Sequence, residues 1–154
     1  MSAHPQDVYK DAGECVLFVY LRFNRQDQAA ELDAFRDFAD TSQAINRSMN
    51  IRAQGDDLRV SIGVSRNGWD YLFPGAARPP EREEFKGLVN AETPSIAMPE
   101  GIGADADLFL HIRAKREAVV YEVAEQYRLS FKDFARVVDE THGFRYLEGR
   151  AIIG

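Results

Sequence analysis

The sequence predicts an α+β fold, a four-stranded antiparallel sheet with helices on one face. Three observations lead there. Along the chain the apolar period changes from two to about 3.6 and back, twice over, in the order strand–helix–strand, strand–helix–strand. The first strand is apolar on both sides, which suits a central strand covered on both faces. Finally, 154 residues with 45% apolar and 29% charged side chains make one globular domain whose core needs no disulfide or metal staple.

Each element has its own warrant. From Glu14 to Arg25, Val16, Phe18, Tyr20 and Arg22 point one way, and Leu17, Val19, Leu21 and Phe23 the other. Asn24 to Asp27 is a polar break. From about Gln28 to Met49, a stripe of Leu32, Phe35, Ala39, Ser42, Ile45 and Met49 recurs at helical spacing. Asp27 is its N-cap, and Glu31 complements the dipole of the first turn. Gln54 to Asp57 turns the chain into a strand from Leu58 to Val64. Asn67-Gly68 ends that strand, and Trp69 to Phe73 reads as one helical turn.

Residues 74–106 are the least regular stretch, holding Pro74, Pro79, Pro80, Pro94 and Pro99 with Gly75, Gly87, Gly101 and Gly103. A loop this long inside one domain is more often functional or covered than idle. A strand follows from Asp107 to Ala114, with Leu108, Leu110 and Ile112 on one face and Phe109, His111 and Arg113 on the other. Arg116 to Tyr127 is an amphipathic helix carrying Val120, Val123, Ala124 and Tyr127. Phe131 to Glu140 supplies the last strand, after which His142-Gly143 turns the chain toward Phe144, Tyr146 and Leu147. This is the ferredoxin-like βαββαβ order, in which both helices bury their stripes on the same face of the sheet. The other face, carrying Phe18 and Tyr20, is apolar enough to require a partner, and a second sheet is expected there. The domain is expected to span 14–154 behind a flexible tail at 1–13.

Charge and cysteine usage exclude whole classes of function. Nineteen Lys and Arg against 25 Asp and Glu leave a net charge of −6, the wrong sign for a general nucleic-acid binder. The single cysteine, Cys15, excludes an internal disulfide framework and any Cys-rich metal site, and its free thiol suits the cytoplasm. The first fourteen residues are polar and lack the apolar core of a targeting segment, and the run from Cys15 to Leu21 is too short to span a bilayer. A soluble cytoplasmic protein with no membrane partner is expected.

No catalytic constellation closes within these residues. His4, His111 and His142 are the only imidazoles, and no two have metal-ligand spacing on one helix. His4 lies in the tail. A packed or interface side chain explains His111, in a strand, and His142, beside a glycine, better than a metal ligand does. Cys15 reads as a small buried hydrophobe and Trp69 as a core anchor rather than a binding platform. Glu81-Arg82-Glu83-Glu84 alternates in sign with Arg78 and Lys86, as a solvated segment does. Gly101-Ile102-Gly103 has no strand-to-helix context or following Gly-Lys-Ser/Thr, so it is not a phosphate loop.

Three stretches carry a resemblance. They are Val60-Ser61-Ile62-Gly63-Val64-Ser65-Arg66-Asn67-Gly68-Trp69-Asp70-Tyr71-Leu72-Phe73, then Asp107-Leu108-Phe109-Leu110-His111-Ile112-Arg113-Ala114, then His142-Gly143-Phe144-Arg145-Tyr146-Leu147-Glu148-Gly149-Arg150 with Ala151-Ile152-Ile153-Gly154. In order and spacing they resemble the dye-decolourising (DyP-type) haem peroxidases, in particular the bacterial intracellular branch. The resemblance implies two ferredoxin-like halves whose sheets face each other, with haem b held on the C-terminal half. This chain is similar to the N-terminal half alone. Gly154 corresponds to the first glycine of the GxxDG motif, with Ile153 next to it, and the motif's aspartate, which assists peroxide cleavage, lies beyond the sequence. The distal arginine and the proximal histidine belong to the other half.

The resemblance therefore implies no catalytic residue in this chain, only Gly154 and Ile153 beside an interrupted cofactor motif, and His111 and His142 as remote candidates for an axial ligand. A haem peroxidase needs an axial ligand and distal proton-transfer groups. The expectation is an N-terminal peroxidase domain, truncated or naturally split, inactive and free of haem on its own, whose partner is the missing C-terminal half. The alternative is a stand-alone ferredoxin-like domain that forms a homo-oligomer through its open sheet face and binds a small molecule or partner.

Overall fold

A computed structural model describes residues 8, 13–77 and 106–149. Their elements follow in the order β1 (Cys15–Phe23), α1 (Gln28–Arg52), β2 (Arg59–Val64), α2 (Arg66–Leu72), β3 (Leu108–Ala114), α3 (Glu117–Phe131) and β4 (Ala135–Phe144). The strands form one sheet in the order β2-β3-β1-β4, every neighbouring pair antiparallel. This is the expected ferredoxin-like arrangement, with β1 and β3 central and α1 and α3 on one side.

Alternation along β1 builds the core. Leu17, Val19, Leu21 and Phe23 are buried, the first three opposite Ile112, Leu110 and Leu108 of β3. Against them pack Phe38 and Met49 of α1 and Val119, Val120, Val123, Tyr127 and Phe131 of α3. Phe38 meets Tyr127 and Phe131 edge to face, at 5.4 and 6.2 Å between ring centroids. Each such side chain taken from water stabilises the fold by roughly 1.5–3 kcal/mol before the entropy of ordering is counted.

Several boundaries differ from the sequence reading. The stripe of α1 is turned: Glu31, Phe38, Ser42 and Met49 are its buried residues, while Leu32, Phe35 and Ile45 sit at its margins. Asp27 caps it as expected, its carboxylate accepting from the N–H groups of Ala29 and Ala30 at 3.1 Å. α2 starts at Arg66, capped by the Ser65 hydroxyl, so Asn67 and Gly68 lie inside a helix rather than in a break. A Cβ on Gly68 would run into the Asp107 carbonyl, which explains the glycine.

α3 continues to Phe131, one turn past Tyr127, and β4 begins four residues later than that phenylalanine. His142 and Gly143 are therefore strand residues and not a turn. A Cβ on Gly143 would lie 2.8 Å from Val16 Cγ1, so a side chain there would have to displace Val16. The Trp69 ring lies 4.7 Å from that of Phe73, tilted by 48°, but stands outside the main core, contrary to its reading as a core anchor. Cys15 is half-buried rather than sealed. Most of residues 74–106, together with His4, the Glu81–Glu84 segment, Gly101–Gly103, Ile153 and Gly154, lies outside the described residues.

Candidate functional site

Residues that alternate away from the helices form the open face of the sheet. Phe18 stands opposite His111, and Tyr20 opposite Phe109, in the β1–β3 register. Their rings make one cluster: Phe18 lies 4.7 Å from His111 and 5.7 Å from Phe109, nearly parallel to the latter, and Tyr20 lies 5.1 Å from Phe109. All four are half-buried. Beside them β2 sets Ser61 opposite His111 and Arg59 opposite Arg113. Arg113 is only 2% exposed, and the buried Ser61 hydroxyl has no hydrogen-bond partner among the described residues. Burial, then the neighbouring Arg113 charge, pushes the His111 imidazole below its ordinary value, so it is neutral at pH 7.

A second group of polar side chains closes one end of the sheet. The Asp107 carboxylate, 1% exposed, accepts from the Phe23 N–H at 2.9 Å and from both terminal nitrogens of Arg25, at 2.6 and 2.9 Å. Arg25 adopts a left-handed backbone (φ 57°), and its guanidinium carbon lies 4.8 Å from the centre of the Tyr71 ring. Tyr71 donates to Glu31 at 2.9 Å, and Glu31 also accepts from the backbone N–H groups of Arg25 and Gln26. Burial, with the bond to Glu31 second, pushes the Tyr71 phenol up to about 12. The carboxylates are occupied by donors, so the cluster is a clamp joining β1, α1, α2 and β3 rather than an acid–base pair. Asp107 and Arg25 carry no local signal of this in the sequence. Glu31 carries one, because a carboxylate seven residues before Phe38 falls on the buried side of α1.

The two histidines cannot share a ligand. His111 lies opposite Phe18 on the open face, whereas His142 lies opposite Leu17 on the helix side, exposed near Glu140 at 3.7 Å. Among the described residues no group of three or more His, Cys, Asp or Glu could hold a metal. Burial raises the Cys15 thiol, with Glu117 and Glu14 adding to the shift, so it is no activated nucleophile. A cavity of about 60 Å³ lies among Glu14, Asp57, Arg59, Arg113 and Arg145, and an open groove of about 500 Å³ beside Glu14, Arg145, Leu147 and Glu148. Neither is lined by a histidine, and His111 has a face of its ring laid against Phe18. The described residues do not fit an axial haem site. What the open face can do is bind an apolar surface by stacking and burial. No helix among them is long and apolar enough to cross a membrane.

Comparison with known proteins agrees with this architecture. A family model described as Dyp-type peroxidase, N-terminal, matches residues 5–145. A dye-decolorizing peroxidase of Brevibacterium linens is 33% identical over 150 residues, which cover 97% of this chain and 38% of that protein. Its counterpart in Rhodococcus erythropolis is 28% identical over all 154 residues, covering 42% of that protein. The chain thus spans about two-fifths of the length of the curated relatives it matches. The crystal structure of a dye-decolorizing peroxidase from Bacteroides thetaiotaomicron superposes with a TM-score of 0.82 at 31% identity, over 99% of this chain and 47% of that one. A haem complex of a Rhodococcus jostii DypB variant superposes with a TM-score of 0.82 at 26% identity, over 98% of this chain and 46% of that one. With strand order, helix placement and the match over residues 5–145 in agreement, this chain belongs to the Dyp-type peroxidase N-terminal family.

Proposed function

We propose that the chain serves as the N-terminal part of a cytoplasmic haem peroxidase that oxidises dyes or other reducing substrates with peroxide. The open face of its sheet seats the remainder of the enzyme, which supplies the haem ligand and the distal groups, and the chain alone binds no haem and turns over no substrate. The observation that carries this reading is the half-buried cluster of Phe18, Tyr20, Phe109 and His111 on the face the helices leave uncovered. An aromatic surface of this kind is stabilised by a second apolar layer. Family membership and the two-fifths coverage of its relatives support the same reading.

The test is to mix the chain with haem and peroxide and to follow the Soret band and dye oxidation. Neither is expected from the chain alone. Both are expected when the C-terminal part of a relative is supplied as a separate chain, and Phe109→Asp should prevent this complementation. Robust dye turnover by the isolated chain would overturn the proposal. The same face also favours a second reading, a stand-alone domain that covers it with another copy or with a small molecule. Complementation that ignores Phe109→Asp, together with self-association that this substitution abolishes, would favour that reading.

A further inference from the structure

A group of side chains at the end of β4 belongs neither to the helix-side core nor to the open face. Phe144 is 77% exposed, Leu147 63% and Tyr146 46%, and none of the three packs on the core. A single exposed apolar side chain is ordinary, and Ile51 at the end of α1 is one. Three within four positions form a patch, with the polar Glu14, Arg145 and Glu148 at its rim, and that rim and Leu147 line the open groove of about 500 Å³. Phe144 stands opposite Cys15, on the helix side of the β1 alternation, so the patch is no continuation of the aromatic cluster of Phe18 and Phe109.

The backbone holds the patch out toward water. The Arg145 N–H donates to the Glu14 carbonyl at 2.7 Å, tying this stretch to the start of β1, and the Gly149 N–H closes a turn on the Tyr146 carbonyl at 2.9 Å. Within that turn Leu147 has φ 46°, a left-handed conformation that few residues with a side chain adopt. A leucine strained in this way and facing water gains nothing from its own domain. Contact with something outside the domain explains it.

The relatives indicate what reaches it. The match covers 42% of the Rhodococcus erythropolis peroxidase and 38% of that of Brevibacterium linens, and the matching family model is an N-terminal one. In those proteins the rest of the enzyme therefore departs from the β4 end of the fold, beside this patch. A short tether gives it an effective concentration on the order of millimolar, an advantage that a second copy in dilute solution lacks. We infer that the C-terminal part of the enzyme docks an apolar segment of its own on Phe144, Tyr146 and Leu147, a second seat besides the open face. The inference rests on the proposed role of this chain as the N-terminal part of a peroxidase.

The chain is co-expressed with the part of the Brevibacterium linens peroxidase that follows the match, and the pair is recovered through a tag on that part. Recovery of the chain is expected, with hydroxyl-radical labelling of Phe144 and Leu147 well below its level in the chain alone. The same protection is expected in a fusion of the two parts, which does not require the partner to fold by itself. Phe144→Ser and Leu147→Asn should each weaken pairing about tenfold. Asparagine accepts the left-handed backbone, so Leu147→Asn should leave the unfolding midpoint of the chain alone unchanged or raise it. A lower midpoint would make the leucine part of the fold and overturn the inference. Pairing that Phe109→Asp blocks but neither β4-end substitution affects overturns the inference and leaves the open-face seat standing. Labelling unchanged in both the pair and the fusion also overturns it. Absence of pairing, together with a fusion that takes up no haem, overturns the proposed role as well. Self-association of the chain that both substitutions abolish, with pairing intact, would give the patch to a second copy and overturn the inference.

Discussion

The two sides of β1 share one backbone and differ in what they touch. Leu17, Val19, Leu21 and Phe23 meet only side chains of this domain, and none is more than 5% exposed. Val16, Phe18, Tyr20 and Arg22, interleaved with them, remain half-buried. Two largely apolar sides of one strand thus have unequal consequences. On the helix side it is spent within the domain and holds the fold. On the open side it contributes little to folding and is available for association.

The largest expected effect tests that division directly. Leu21→Ala deletes a fully buried side chain on the helix side of the sheet and should destabilise the chain by roughly 2–5 kcal/mol in urea unfolding. Phe18→Ala removes a larger side chain from the open face and should cost only about 1 kcal/mol, because part of its surface already faces water. Equal losses from the two substitutions would show that the open face is as much a part of the folding core as the helix side, and the comparison would fail.

A smaller effect sharpens the comparison at the end of the sheet. Asp107→Asn leaves Arg25 facing an amide instead of a carboxylate, while the Phe23 N–H keeps an acceptor. Arg25 is one-third exposed, and water compensates part of the loss, so about 2 kcal/mol is expected. The exposed pair of Arg36 and Asp33 is the control: Asp33→Asn should change stability by no more than about 0.5 kcal/mol. A clamp worth no more than this surface pair would mean that packing alone closes the sheet end.

How much of this is legible in sequence depends on what each residue faces. β1 and β3 are readable because each alternates regularly around one wholly apolar side and is flanked by polar breaks. β4 is an edge strand whose two sides are largely exposed, so its polar residues carry no burial pattern, and the bulge at Val138 reverses the alternation midway. His142-Gly143 therefore looks like a turn, although it is a strand whose glycine accommodates Val16. Phe131 suits a strand start as well as a helix end; the backbone keeps it in α3, which the Lys132 N–H closes on the Arg128 carbonyl, and its ring packs edge-on against Phe38. The clamp is hidden for another reason: Arg25 and Asp107 stand 82 residues apart, and neither occupies a periodic position. The open face was half visible, through the alternation of Phe18 and Tyr20 with Phe109 and His111. The bridging of those two strands into one aromatic cluster needs the register.

The smallest effect concerns His111, the titratable imidazole inside that cluster. It lies against Phe18 of β1 and opposite Ser61 of β2, with Arg113 beside it on β3 and Arg59 and Tyr20 on the same face. Burial and, second, the Arg113 charge both disfavour its protonated form, so its value in the folded chain lies below the ordinary 6.5. The unfolded chain then binds the proton more readily than the folded one. Stability from this site is complete above pH 6.5 and is lost progressively as pH falls through that value toward the folded one. His111→Phe keeps a ring on Phe18 and removes the titration. The difference in unfolding free energy between the chain and this variant should therefore be flat above neutrality and should shift in favour of the variant on acidification. A covering partner on the open face would bury His111 further and deepen the dependence, whereas a difference that stays flat down to pH 5 would place the imidazole in water and remove it from the cluster's energetics.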